Sequence, residues 1–316
     1  MRSYVTLFDR NYLYQGVALY QSLEKHSQSA FQLYAICMDD LAFETLQKLD
    51  RKNFIPIRYT DFDTPETVAV RARTTHGQYC WTCQPLSCLY LLERFGLDRI
   101  TYLEADSLFF ADPEILFQEL GENSVSLIAH RYSPQFDQTA TSGKFCVQFN
   151  SFANNDNGRA VLNYWKKECF RYDKSRPTDF PGQTCLDQWE SRFKSVKELQ
   201  HLGGGVAPWN VQQYSISRSE SGILVNGVPL VFYHFHAYGQ YKDGSHELGG
   251  YPLSQNVVNL VYRPYAEAIR HAEAWVHQAS PSFDYRKYIE KPRKLRARVS
   301  FHLRRLRGTW NVYKSL

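Results

Sequence analysis

The chain has 316 residues, 43% hydrophobic and 22% charged, which is enough to fold around one large core and excludes a largely disordered protein. No apolar run approaches the roughly 18 residues that a membrane-spanning helix needs. The seven cysteines are an odd number without paired spacing, so reduced thiols are expected in place of a disulfide framework. The first residues read as a strand and not as a signal peptide, which predicts a cytoplasmic protein.

Apolar segments of two periodicities alternate along the chain. Short apolar runs favour strands, and runs with apolar residues three or four positions apart favour helices. In chain order we expect strand 4–8, helix 14–25, strand 31–37, helix 41–49, strand 55–59, helix 85–95, strand 100–103, helix 112–121, strand 125–129 and strand 230–236. Pro56 favours an edge position for the third strand. The alternation predicts an α/β fold with a mainly parallel sheet flanked by helices.

Positive charge is concentrated at the end of the chain. Residues 286–316 contain eleven basic residues and one acidic residue, whereas residues 1–285 contain more acidic than basic side chains. We therefore predict a domain over 1–285 and a basic tail over 286–316. Within 292–316 the apolar residues follow a helical spacing, which predicts a basic amphipathic helix. Two interpretations stay open, attachment to an anionic membrane surface and packing on the domain. Nucleic acid is not favoured, because the domain has no wider basic face.

Two carboxylates follow the strand at 100–103. Glu104 and Asp106 are two positions apart in extended chain, so their side chains point the same way and repel each other unless a cation lies between them. Ligands of open α/β sheets bind at the carboxyl ends of the strands, which is where this pair is expected. A solvated loop is the plainer alternative, but the pair is framed by apolar segments on both sides.

Two histidines end the late strand. His234 and His236 also share one face, and imidazole is a common ligand of metals such as Mn²⁺. Core histidines with satisfied hydrogen bonds are the alternative. Arg71 lies in a predicted loop, where its side chain either faces a bound diphosphate or is solvated.

Several segments together resemble a known family. Residues 102–117, YLEADSLFFADPEILF, resemble the strand and metal motif of nucleotide-sugar transferases with the GT-A fold, in particular glycosyltransferase family 8 and its bacterial relatives. Further similar segments are 6–12 (TLFDRNY), 79–82 (YCWT), 183–189 (QTCLDQW), 201–210 (HLGGGVAPWN) and 230–236 (LVFYHFH). The resemblance extends over about residues 1–240, in a matching order of motifs.

The resemblance implies roles for individual residues. The implied metal ligands are Glu104, Asp106 and His234. The implied nucleotide-binding residues are Thr6, Phe8, Asp9, Asn11 and Tyr12 in the first strand and turn, with Glu104 and Ala105 in the metal motif. Gln183 would lie near the reacting sugar, so Gln183 and Asp106 are the expected catalytic residues.

The chain departs from the family pattern at three places. Glu104 replaces an Asp, Gly182 stands where the family usually has an Asp before Gln183, and Cys146 and Gln148 occupy the places of an Asn-Val-Gly pattern. The Gly182 departure puts the choice of donor or acceptor in doubt. Asn150 is the residue that could compensate in the third segment.

The resemblance implies a metal-dependent, retaining hexosyltransferase. It would use Mn²⁺ or Mg²⁺ and move a sugar from a nucleotide-diphosphate donor, expected to be a UDP-sugar, to a hydroxyl of a saccharide or lipid-linked glycan. Polysaccharide synthesis at the inner face of the cell membrane would suit the basic tail. The alternative is a catalytically weakened protein that binds nucleotide sugars. A nucleotidyltransferase is not favoured, because residues 9–16 lack a glycine-rich phosphate loop.

Overall fold

The structure is a computed structural model that describes residues 1–283, 285, 287–290, 303–304 and 309–316. The strands in the described residues are β1 (Arg2–Phe8), β2 (Phe31–Cys37), β3 (Phe54–Arg58), β4 (Arg99–Leu103), β5 (Ser107–Phe109), β6 (Val125–Ala129), β7 (Phe145–Cys146), β8 (Phe149–Ala153), β9 (Val196–Glu198), β10 (Ile216–Ser219), β11 (Gly222–Val225), β12 (Val228–Pro229), β13 (Phe232–His234), β14 (Tyr238–Gln240), β15 (His246–Leu248) and β16 (Val312–Tyr313). The helices are α1 (Leu13–His26), α2 (Asp40–Leu49), α3 (Pro65–Arg73), α4 (His76–Arg94), α5 (Glu114–Leu120), α6 (Thr139–Ser142), α7 (Asp156–Cys169), α8 (Pro181–Thr184), α9 (Trp189–Arg192), α10 (Gln255–Val257) and α11 (Arg263–Ala279). A π-helical segment, Val258–Tyr262, joins α10 to α11.

The central sheet has the order β3-β2-β1-β4-β8-β6-β7, with β9 added beside β6. The four strands from β3 to β4 are parallel, whereas β8 runs antiparallel to β4 and β6. The predicted α/β class, a mixed and mainly parallel sheet flanked by helices, is confirmed. β3 lies at the edge of the described sheet, as Pro56 predicted.

Helices pack on both faces of the sheet, and successive side chains of a strand point to opposite faces. Tyr4 packs into a core with residues of α1, α2 and α11, and its neighbour Val5 packs into a second core with residues of α4 and α7. A parallel sheet that is buried on both sides can present functional groups only at its strand ends. The site is therefore expected at the ends and in the loops that follow them.

Three local predictions differ from the structure. The helix predicted over 85–95 begins at His76, because Thr75 caps it by accepting a hydrogen bond from the backbone N–H of Gln78, and Pro85 lies inside the helix. The late strand is shorter than predicted, from Phe232 to His234. The prediction of a loop around Arg71 is wrong, since this residue lies in α3.

The described parts of the tail contact the domain. β16 pairs with β15, and Arg304 forms an ion pair of 2.5 Å with the buried Glu247. Of the predicted basic amphipathic helix, residues 292–302 and 305–308 lie outside the described residues. The division at 285/286 stays a prediction. Within the described ranges, no helix combines the length and the apolar character needed to cross a bilayer.

Candidate active site

Two predicted site segments meet at one edge of the sheet. β1 and β4 are adjacent and parallel, with Tyr4 opposite Thr101, so the turn at 9–12 and the motif at 104–106 leave the sheet side by side. Both segments line a cavity with a volume of about 640 Å³. A cavity of this size suits a small-molecule ligand. The structure therefore joins the expected nucleoside turn to the expected metal motif.

A strand pairing brings His234 to Asp106. β13 runs antiparallel to β5 with His234 opposite Ser107, and the backbone N–H of Phe235 donates to the carbonyl of Asp106. His234 Nε2 consequently lies 3.1 Å from Asp106 Oδ1. Burial opposes both charges, but each charge favours the other. The pKa of Asp106 is therefore lowered and the pKa of His234 is raised well above its ordinary value.

The other nitrogen of the same ring faces Gln148. His234 Nδ1 lies 3.3 Å from Gln148 Oε1, so an N–H at Nδ1 donates to this oxygen. Gln148 is fully buried, and its amide Nε2 has no hydrogen-bond partner among the described residues. Partners that fix the second nitrogen of a ligating histidine set its tautomer and ring orientation. Gln148 thus fixes the ring orientation in which His234 Nε2 faces Asp106.

Glu104 faces the same cavity. Its Oε1 accepts a hydrogen bond of 3.0 Å from Gln84 Nε2. Burial, followed by the charge of Asp106, raises the pKa of Glu104 to about 8. Two carboxylates and an imidazole are a donor set that fits a borderline divalent cation such as Mn²⁺. Among the described residues, no group of three or more His, Cys, Asp and Glu side chains is already arranged to hold a metal ion.

The turn after β1 is organised by Asp9. Its carboxylate accepts hydrogen bonds from the backbone N–H and the side-chain amide of Asn11, and it lies 3.1 Å from Nε2 of His76. Burial opposes ionisation of Asp9, but the bonds from His76 and Asn11 lower its pKa. The hydrogen bond to Asp9 is the main cause that raises the pKa of His76 to about 10. The ring of Tyr12 is left 42% exposed in the cavity wall.

The structure does not bring every predicted residue to the cavity. Phe8, Ala105 and Gln183 line it, together with Asp9, Asn11 and Tyr12. Thr6 is fully buried in the middle of β1 and does not line the described cavity wall, because both faces of this strand are covered. Arg71 is also absent from that wall, since its guanidinium is bound by Asp63 at 2.9 Å.

Two groups of rings that sequence reasoning missed also line the cavity. The first is His130 stacked on Tyr132, with centroids 4.6 Å apart, and Trp209 set edge-on against His130. The second is Trp81 with Tyr172 and Phe180. The aromatic content of 15% was a signal for such surfaces, but it did not say which rings would be exposed to a ligand.

Gln183 lies between these two groups. Its Nε2 donates to the carbonyl of Ser142 at 3.0 Å and lies 3.4 Å from His130 Nε2. Cys146, near His130 and His234, also lines the cavity. Burial opposes ionisation of this thiol, but the two histidines lower its pKa to about 6. The cavity therefore combines charged side chains with aromatic rings.

Gly182 is tightly packed. A Cβ at this position would lie 2.6 Å from Cys169 Sγ and 3.0 Å from the Tyr172 ring. The indole N–H of Trp165 donates to the Gly182 carbonyl, which fixes the backbone from the other side. The surrounding side chains leave no room for a carboxylate at position 182. The packing of this protein therefore fits Gly182 and not the Asp that the family usually has there.

The chain is an α/β protein with an open sheet and a ligand-sized cavity at the carboxyl ends of its strands, which is where such sheets bind ligands. No protein-family model matches the sequence. Uncharacterized protein YfnF of Bacillus subtilis (strain 168) is 30% identical over 247 residues, which are 75% of this chain and 81% of that protein. Uncharacterized protein YfnD of the same strain is 24% identical over 290 residues, or 88% and 91% of the two chains. The chain belongs to the family of YfnF.

Several solved structures are similar to this one. The galactosyltransferase LgtC in complex with donor and acceptor sugar analogs has a TM-score of 0.49 at 13% identity, covering 85% of this chain and 95% of that chain. The glycosyltransferase GlyE of Streptococcus pneumoniae TIGR4 has a TM-score of 0.49 at 15% identity, covering 92% and 66%. Mouse xyloside xylosyltransferase 1 has a TM-score of 0.47 at 11% identity, covering 75% and 98%.

Proposed function

We propose that this protein is a metal-dependent glycosyltransferase that moves a sugar from a nucleotide-diphosphate donor to an acceptor hydroxyl. One observation carries the proposal. The acidic motif after β4, the Asp9 turn after β1 and His234 from a remote strand all open into one cavity of about 640 Å³. These are the segments to which the sequence resemblance assigns the metal and the nucleotide.

The charged side chains of the cavity are suited to the donor. Asp106 and His234, with Glu104, would hold a divalent cation, which when bound stabilises negative charge on the departing diphosphate as a Lewis acid. The Asp9 carboxylate holds Asn11 in place by two hydrogen bonds, so that the turn presents a fixed polar edge to the base and ribose. UDP is the nucleotide that we propose, with retention at the anomeric carbon.

The aromatic rings of the cavity are suited to the acceptor. Rings offer rigid apolar faces on which a saccharide stacks, and the described wall contains Trp81, Tyr132, Tyr172, Trp209 and Tyr251. Gln183 lies between the two groups of rings, within reach of a sugar that contacts both. Rings covered by a bound saccharide would also keep water away from the reacting carbon, which limits hydrolysis of the donor. We propose a glycan, free or lipid-linked, as the acceptor.

The test is a screen of nucleotide sugars with Mn²⁺, measuring release of the nucleoside diphosphate with and without a mixture of saccharide acceptors. The proposal expects release with one nucleotide class, faster when a suitable acceptor is present and abolished by a chelator. Turnover that is unaffected by the chelator would contradict the metal assignment.

A second candidate is a nucleotide-sugar binding protein with weakened catalysis. The closed packing around Gly182 favours it, since no carboxylate can occupy that position. The same screen separates the two functions. Saturable, Mn²⁺-dependent binding of a nucleotide sugar without turnover, across the acceptor mixture, would support the binding protein and contradict the transferase.

A further inference from the structure

The described wall of the cavity has three carboxylates, two of them paired with histidines, and little other positive charge. Three carboxylates line it, from Asp9, Glu104 and Asp106, whereas among its described lining residues Lys287 is the one lysine or arginine. A nucleoside diphosphate carries further negative charge, so its binding beside these carboxylates requires positive charge on the other side. Lys287 comes from the predicted tail, far in sequence from the motifs assigned to the nucleotide.

Neighbouring residues attach Lys287 to both predicted binding segments. The hydroxyl of Tyr285 donates to Asn11 Oδ1 at 2.9 Å, which ties the residue just before the predicted tail to the turn after β1. The backbone N–H of Ile289 donates to the carbonyl of Gln240 at 2.7 Å, in the strand that soon follows His234. Tyr288 forms an isolated bridge with the same residue. Residues 285 and 287–290, named here the strap, therefore connect these two segments beside the cavity that Lys287 lines.

The strap places the lysine over the nucleoside turn. Lys287 Nζ lies 5.9 Å from the centroid of the Tyr12 ring. An ammonium group over an aromatic face is held by the ring quadrupole, yet its N–H donors stay free to bind an anion. Lys287 forms no ion pair with another described residue, and it is exposed. Arg71, which the sequence suggested for the diphosphate, is instead engaged by Asp63.

We propose that Lys287 binds the diphosphate of the donor nucleotide, with the strap forming one wall of the donor site. This inference rests on the proposed function, because it takes a nucleoside diphosphate as the ligand. It assigns a ligand-binding role to a residue of the segment that the charge pattern set apart as a separate tail. In this proposal the Tyr285–Asn11 hydrogen bond holds the strap against the turn after β1.

The experiment compares nucleoside diphosphates with their nucleosides by titration calorimetry in the presence of Mn²⁺. UDP, ADP, GDP and CDP are tested on the full chain, then the best binder and its nucleoside on variants. Lys287→Ala should lower the affinity for the diphosphate by about tenfold, a size typical of a hydrogen bond to a charged group. The affinity for the nucleoside should be unchanged. Lys287→Arg should restore most of the affinity. Lys52→Ala, an exposed lysine away from the cavity, is the matched control.

The outcomes separate this inference from the proposed function. Equal diphosphate affinity in the parent protein and Lys287→Ala, with clear binding in both, overturns the role of Lys287 alone. An equal loss of affinity for the diphosphate and for the nucleoside also overturns it, because that result would assign the strap a structural role. If the parent protein binds none of the four diphosphates, the proposed function falls together with this inference.

Discussion

His234 Nε2 lies 3.1 Å from Asp106 Oδ1, although the two residues come from segments far apart in the chain. The contact depends on the antiparallel pairing of β13 with β5. A carboxylate and an imidazole in contact are a strongly coupled pair, and here they occupy the wall of a cavity that also holds Glu104. This relationship is the basis of the metal assignment and of the predictions that concern it.

Gln148 is predicted to tune the metal site through His234. Gln148→Leu removes the oxygen that His234 Nδ1 faces, so the ring loses its orientation, and we expect Mn²⁺ affinity to fall by about tenfold. Gln148→Glu keeps an acceptor oxygen and should retain most of the affinity. Titration of Mn²⁺ by electron paramagnetic resonance measures both. Equal affinities in Gln148→Leu and the parent protein would show that Gln148 has no part in the site.

Gly182 is predicted to be required for packing. Gly182→Asp places a side chain against Cys169 and Tyr172, and we expect a loss of about 1–3 kcal/mol in the free energy of unfolding, as overpacked sites show. The variant should not gain transferase activity. Gly250→Ala is the matched control, because a Cβ there meets nothing within 4 Å. Urea unfolding of both variants measures the difference. A Gly182→Asp protein of unchanged stability would contradict the packing argument.

His76 is predicted to titrate well above its ordinary pKa of 6.5. Its hydrogen bond to Asp9 raises the pKa to about 10, although its side chain is 60% exposed and solvent screens part of the effect. The stabilisation from this raised pKa is complete below pH 6.5 and is lost as the pH rises toward 10. The stabilisation from the lowered pKa of Asp9 is present above the ordinary pKa of 3.8 and is lost as the pH falls below that value.

An NMR titration of the histidine ring protons measures this shift. His76→Gln assigns the signal by its disappearance, and Asp9→Asn should return the midpoint toward 6.5. A His76 midpoint at or below 6.5 in the parent protein would mean that the pair with Asp9 does not form in solution.

The basic tail is predicted to bind anionic membranes. Replacing Arg293, Lys294, Arg296 and Arg298 with Gln removes four charges from a segment outside the described residues and leaves the Arg304–Glu247 ion pair in place. Each basic residue near the surface contributes about 1 kcal/mol, so the four replacements should lower the affinity for vesicles of anionic lipid, measured by co-sedimentation, by up to about 1,000-fold. Vesicles of neutral lipid are the control. Undiminished binding of the variant to anionic vesicles would leave packing on the domain as the role of the tail.

Much of the fold followed from local patterns. Strand and helix periodicities gave the parallel half of the sheet, and Pro56 marked its edge strand. The position of Glu104 and Asp106 at a strand end was also readable, because strand ends are where such sheets bind ligands. Arg71 was misplaced although a signal was available, since Thr64 caps α3 and Pro65 occupies its first turn.

The rest of the site depends on contacts between distant segments. The register that sets His234 beside Asp106 is a property of two paired strands, and neither strand alone encodes it. The stacking of His130, Tyr132 and Trp209 likewise joins two loops. Lys287 was grouped with a basic tail because composition cannot show that the chain returns to the cavity. Such features arise from tertiary packing, which a local pattern does not determine.

The central claim is that the carboxylates after β4 hold a divalent cation that binds the donor diphosphate. Mn²⁺ binding in the presence of UDP, measured by electron paramagnetic resonance, tests it most directly in the parent protein, Asp106→Asn and the control Asp40→Asn. Asp40 pairs with Arg58 at the surface, with its side chain 83% exposed. We predict one bound Mn²⁺ in the parent and control proteins and an affinity at least about tenfold lower in Asp106→Asn. Equal Mn²⁺ affinity in all three proteins would contradict the account.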